Sequence, residues 1–221
     1  MLRSLAIPFY ECQASERSYQ ACLLMALKFV TPAESRSLSE LDELCLYQAG
    51  QYPWLPLALL ALSKEDWETK YVSNFPWEKY LADPAAQLKA LYGKSASELA
   101  QAYPSKENLA KWLPQVKEQE ALIEERLLEP DELIKLHQAG WCLIAVINIK
   151  ALKGEKGVEP RCVMITGIDA NSISFHDPGP EGRSNHKVGL DLFLKAWRYP
   201  ADQGELVALR QAIVPIMAEL E

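Results

Sequence analysis

The sequence predicts an α+β fold, helices first and an antiparallel sheet second, in a single domain spanning residues 1–221. Two observations carry this. Up to Gly140 the apolar residues recur at helical spacing, and from Trp141 onward they gather into short β-branched runs bounded by glycine, proline and Asp/Asn turns. The expected division is a helical lobe over 1–140 and a sheet lobe over 141–221 that closes on a terminal helix.

Taken in order, residues 18–30 place Cys22, Met25, Ala26 and Phe29 on one helical face, with Ser15 or Ser18 available as a cap. Residues 39–48 repeat the pattern through Leu41, Leu44 and Cys45, and Gly50 stops it. Pro53 and Pro56 precede an apolar run, predicting a turn and then a helix. Asp83 before Pro84 opens a helix through Tyr92, and residues 105–117 and 130–138 read the same way. The acidic run 118–125 reads as a solvated helix face. Then residues 141–149, CVMIT (162–166) and SISFH (172–176) read as three strands, the last ended by Asp177-Pro178-Gly179-Pro180. Residues 190–197 make an amphipathic helix, and 205–218 is expected to be the terminal one.

Composition sets the outer limits. With 221 residues, 49% of them hydrophobic, the chain buries enough surface to need neither disulfides nor a structural metal. Lys+Arg 23 against Asp+Glu 30 gives a net charge of -7 without a basic cluster, which argues against a nucleic-acid partner. No apolar stretch is long enough to span a bilayer, and the N-terminal residues lack the apolar run of a signal peptide, so no membrane association is expected. Five cysteines, an odd count without CxxC spacing, read as free thiols in a reducing cytosol, and a cytoplasmic location follows. Dinucleotide, P-loop, zincin, α/β-hydrolase and zinc-ribbon motifs are absent, and no cofactor is called for.

What remains is a dispersed constellation. Gln13 stands five residues before Ser18-Tyr19-Gln20-Ala21 at the start of the first long helix. Arg161-Cys162-Val163-Met164-Ile165-Thr166-Gly167-Ile168-Asp169 opens the second strand, His176-Asp177-Pro178-Gly179 ends the third, and Phe193-Leu194-Lys195-Ala196-Trp197 follows. This layout resembles the papain-like cysteine peptidases, and within them the soluble relatives of the bacteriocin-leader-processing peptidases, family thirty-nine. The resemblance covers about residues 8–30 and 139–199. It implies a papain-like two-lobed fold, with Gln13 at the oxyanion position, Ser18 at the nucleophile's, Arg161 at the histidine's and Asp177 as the orienting carboxylate.

The chemistry of such a site needs a thiolate favoured by a helix N-terminus, an imidazole that takes and returns a proton, and donors for the oxyanion. A serine hydroxyl without a base is a poor nucleophile, and a guanidinium stays protonated at physiological pH. The Gly-Pro that follows the family's nucleophile is replaced by Tyr19-Gln20. The resemblance therefore implies a pseudopeptidase whose cleft, formed by Gln13, Ser18, Tyr19, Arg161 and Asp177, binds a peptide or protein partner, with Arg161 offering a cation to a carboxylate.

Plainer readings stand beside these. Gln13 and Ser18 also suit a loop amide and a helix cap, and Asp177 before proline also suits a turn. The rival functional reading is an active thiol peptidase or amide hydrolase with Cys12 as relocated nucleophile and His186, expected in a loop after the third strand, as base. Cys22 reads as a core thiol, and His137 as a helix-end residue. Strand alternation sends His176 to the face opposite Asp177. A metal site at His176 and His186 lacks a third ligand. In the pseudopeptidase reading, a hydrogen-bonded, bidentate Arg161–Asp177 ion pair should fill the place of the lost catalytic pair.

Overall fold

The computed structural model describes residues 4–119, 122–200 and 202–212. A 3-10 turn at Ser15–Arg17 leads into α1 (Ser18–Val30), followed by α2 (Leu38–Leu44), α3 (Pro56–Leu62), β1 (Trp67–Ser73), α4 (Trp77–Ala82) and α5 (Pro84–Tyr92). After a second 3-10 turn come α6 (Ala96–Ala102), α7 (Lys106–Lys117), β2 (Ile123–Glu124) and α8 (Pro130–Gln138). The C-terminal third holds β3 (Cys142–Asn148), α9 (Ile149–Lys153), β4 (Pro160–Ile168), β5 (Ser172–Asp177), β6 (Arg183–Gly189), α10 (Leu190–Trp197) and β7 (Glu205–Gln211).

Local chemistry explains several boundaries. Ser37 caps α2 by accepting from the Glu40 amide, and Glu40 returns the bond, a reciprocal capping box. Asp83 and Ser105 cap α5 and α7 through their own side chains. Gly154, at φ 74°, ends α9 in the left-handed region that glycine enters without steric cost.

All seven strands join one sheet in the order β2-β1-β7-β3-β4-β5-β6. Its central strands are apolar at nearly every position because helices cover both faces. Alternation sends Cys142 and Ile144 of β3, Cys162 and Met164 of β4, and Val207 and Leu209 of β7 to the face packed by α1. Their neighbours Leu143, Ala145, Val163, Ile165, Leu206 and Ala208 pack on the opposite face with Phe193, Ala196 and Trp197 of α10. Among the described residues no helix is long and apolar enough to cross a membrane.

The mixed α+β fold class agrees with the sequence reading, with four corrections. The region before residue 140 is mainly helical but sends β1 and β2 into the sheet, so the boundary between helical and sheet parts is not clean. The β1–β2 pair is parallel, whereas the other pairings in the sheet are antiparallel. The acidic run ends in β2 rather than lying along a helix. The terminal helix expected over 205–218 is, through Gln211, the strand β7. It lies between β1 and β3, where a strand buried on both faces shows the same spacing of leucines as a short helix. Residues 213–221 lie outside the described residues.

The N-terminal segment ties the future site to the sheet. The Leu5 amide donates to the Thr166 carbonyl (2.8 Å) and the Cys12 amide to the Pro178 carbonyl (2.7 Å). His176 Nε2 meets the Ile7 carbonyl at 2.9 Å. These bonds bring the approach to α1 alongside the ends of β4 and β5.

Candidate functional site

Ser18 is the first residue of α1 and is buried, at 2% exposure. Its Oγ accepts from the Cys162 amide of β4 at 3.0 Å. The hydroxyl therefore joins helix to sheet and does not cap α1, whose cap position is Arg17 with no side-chain cap bond. Ser15 is no cap either; its Oγ accepts from Arg161 Nη2 at 3.1 Å.

Arg161, on β4 immediately before Cys162, is buried together with Asp177 at the end of β5. Its Nη1 reaches both Asp177 oxygens, at 3.3 Å and 3.2 Å, while Nη2 donates to Glu159 at 2.5 Å. The expected ion pair is present. It differs from a two-pronged fork, because one nitrogen serves both Asp177 oxygens and the second is divided between Glu159 and Ser15. Asp177 also accepts from the Gly179 amide at 3.1 Å, which folds the Asp177-Pro178-Gly179 turn over the guanidinium. A Cβ at residue 179 would lie 2.6 Å from three guanidinium atoms, so a larger residue there would have to displace the guanidinium from its place against Asp177. With two carboxylates on it, Arg161 is not a free cation for a ligand carboxylate, which corrects that part of the sequence reading.

The other predicted residues divide. Tyr19 is buried, with its hydroxyl donating to the Leu55 carbonyl at 2.9 Å, and burial holds its pKa well above the ordinary phenol value. Gln13 is exposed and is not among the residues lining the adjoining cavity. Cys12 is buried, and its thiol donates to the Ala14 carbonyl at 3.2 Å. Desolvation raises its pKa to about 11, against a smaller lowering from that bond and from Arg161. Burial also holds the Cys22 and Cys162 thiols well above their usual range.

His186 is not in a mobile loop. It lies in β6, opposite Phe175, with ring centroids 5.2 Å apart, and burial lowers its pKa. The strand went unrecognised because an edge strand can carry mostly polar side chains. His176 is buried, and its Nδ1 accepts from the Asn185 amide at 2.9 Å. Together with its contact to the Ile7 carbonyl, this defines a neutral ring that donates from Nε2, in keeping with a pKa lowered by burial. His137 is buried in the last turn of α8.

Ser18, Tyr19 and Arg161 line one cavity, which holds about 860 Å³ of empty space including the solvent at its mouth. Its lining also contains a residue that sequence reasoning missed. Glu205, the first residue of β7, accepts from the Tyr71 hydroxyl at 2.6 Å, and burial raises its pKa to about 7, outweighing the lowering from that bond. The signal that could have found it is an acidic residue opening an otherwise apolar run. The helical spacing of Leu206 and Leu209 in that run obscures it.

The comparisons agree with this architecture. No protein-family model matches the sequence, and no curated protein is significantly similar to it. Among solved structures, the chain is similar to one described as a "putative C39-like peptidase" from Bacillus anthracis, with a TM-score of 0.50 and 14% identity over 96% of this chain and 98% of that one. The mixed α+β arrangement with its seven-stranded sheet thus matches the fold of that C39-like structure.

Proposed function

We propose that the protein is a non-catalytic papain-like chain that uses the retained cleft to bind a peptide or protein partner in the cytoplasm. The observation that carries this reading is the buried Arg161 cluster. A guanidinium bonded to Asp177, Glu159 and Ser15 stands where the resemblance calls for an imidazole, and it cannot take a proton from a nucleophile. Ser18 adds to it. Its hydroxyl oxygen already accepts from a sheet amide, and no histidine or carboxylate among the described residues is hydrogen-bonded to it.

The rival reading, a relocated thiol, gains no support from Cys12. A nucleophilic cysteine needs access and a lowered pKa, whereas this thiol is buried with its pKa near 11. His186, the base that reading requires, is held in β6 against Phe175.

Brief treatment with substoichiometric iodoacetamide at neutral pH, followed by peptide mapping, tests the proposal. The expected result is slow labelling without preference for any cysteine. Rapid, selective modification of Cys12 would overturn it.

A further inference from the structure

The charges around the cavity decide what it can hold. Its charged lining residues are Glu16, Arg161 and Glu205. Glu159 and Asp177 both bind Arg161, so its positive charge is already outweighed. Glu205 Oε1 is bonded by Tyr71, while Oε2 has no hydrogen-bond donor among the described residues. Trp197 Nε1 donates to the Glu205 backbone carbonyl (3.0 Å) and so leaves the carboxylate unserved. Phe75, Tyr92, Tyr103, Trp197 and Tyr199 supply aromatic surface to the same cavity, and Phe75 and Tyr103 stack with centroids 5.7 Å apart.

A carboxylate with no cation on it among the described residues, in a cavity lined by aromatic rings and an arginine already neutralised, is complementary to a positively charged group. We propose that the cavity binds a ligand carrying an aliphatic ammonium group, with Glu205 as its counter-ion and the aromatic rings as its wall. This deepens the reading of the cavity as a retained binding cleft and rests on it. An ammonium has three donors, enough to reach the open oxygen of Glu205 and neighbouring acceptors. The group belongs either to a free amine or to the lysine side chain of a peptide.

The pH dependence follows from the surroundings of Glu205. The titratable groups facing it are Tyr71 from β1, Tyr19 from α1, Tyr92 from α5, Tyr103 before α7 and Cys162 from β4, all held neutral by raised pKa values. Between about pH 6 and pH 8 the change in charge around Glu205 is therefore that of Glu205 itself, whose pKa is about 7.

The test is calorimetric titration of the full chain with n-butylammonium and with acetyl-Ala-Lys-Ala-amide, using n-butanol and the norleucine tripeptide as neutral counterparts. At about pH 8 at least one cation should bind roughly tenfold or more tightly than its neutral counterpart, and lowering the pH to about 6 should weaken it about tenfold. Tighter binding of the tripeptide assigns the ammonium to a peptide, and tighter binding of the free amine assigns it to a small molecule. Glu205→Gln should abolish the preference for the cation. Should that variant fail to fold, Tyr71→Phe, which removes the bond favouring the carboxylate, should move the pH midpoint upward. Equal binding of cation and neutral counterpart, undiminished binding by Glu205→Gln, or no binding by either cation overturns the site while leaving the non-catalytic reading intact. Cleavage of the tripeptide would overturn that reading and leave the ammonium site standing.

Discussion

Replacing Asp177 by alanine separates an ion pair that organises the cleft from one that merely occurs there. The Arg161 and Asp177 side chains are 6% and 11% exposed, so losing the carboxylate leaves a guanidinium that water reaches poorly. Breaking a buried pair from one side costs roughly 3–5 kcal/mol. Here the lower end applies, because Glu159 still holds Nη2 and is itself 31% exposed. About 3 kcal/mol in a chain of this length lowers the melting temperature by about 6–12 °C. The double variant Asp177→Ala with Arg161→Met removes the orphaned charge and fills its space with an apolar side chain. Glu159 can then hydrate, and the Gly179 amide loses its acceptor, for a total near 1 kcal/mol and a fall of about 2–4 °C. Thermal melts followed by circular dichroism at neutral pH decide the matter. If the two variants melt alike, or the double variant melts lower, the reasoning about an orphaned buried charge is wrong.

Glu205→Gln should stabilise the protein at alkaline pH. The folded-state pKa of Glu205 is raised by burial from its ordinary value of 4.5 to about 7, so its ionisation in the folded protein disfavours the fold progressively as pH rises from the lower value through the upper. The variant should gain up to about 3 kcal/mol near pH 8 and nothing below about pH 4, as read from denaturant midpoints at each pH; a gain independent of pH would contradict this. Ser18→Cys with Arg161→His should create a thiol that alkylates faster than that of Ser18→Cys alone, since Ser18 Oγ lies 3.0 Å from the amide next to Arg161 and Asp177 already faces position 161. Equal alkylation rates, measured by mass spectrometry, would show that the two positions do not cooperate.

Much of this was legible in the sequence where local chemistry and burial agree. The caps at Asp83 and Ser105 mark α5 and α7, and the β-branched runs mark β3, β4 and β5. The Arg161–Asp177 pair was legible through the family resemblance, which sets a carboxylate facing position 161 from the adjacent strand, where a cation can meet it. Elements defined by their neighbours were not. β6 reads as a polar loop because it is an edge strand, and β7 reads as a helix because Leu206 and Leu209 stand at helical spacing, which a strand accommodates only when both of its faces are buried. β1 alternates Trp67, Thr69 and Tyr71 with Glu68, Lys70 and Val72 inside an otherwise helical region. Glu205 was hidden for the same reason, since its partner Tyr71 comes from β1, 134 residues away in sequence. Arg161 also shows the limit of reading charge from sequence, because Glu159 and Asp177 together remove the free cation that an isolated arginine suggests.

The most direct test of the non-catalytic cleft is incubation of the purified full chain with a diverse peptide library under reducing conditions at neutral pH, with products read by mass spectrometry. The account predicts no new termini beyond those formed without protein. New termini that vanish with Ser18→Ala, or after alkylation of Cys12, would contradict it.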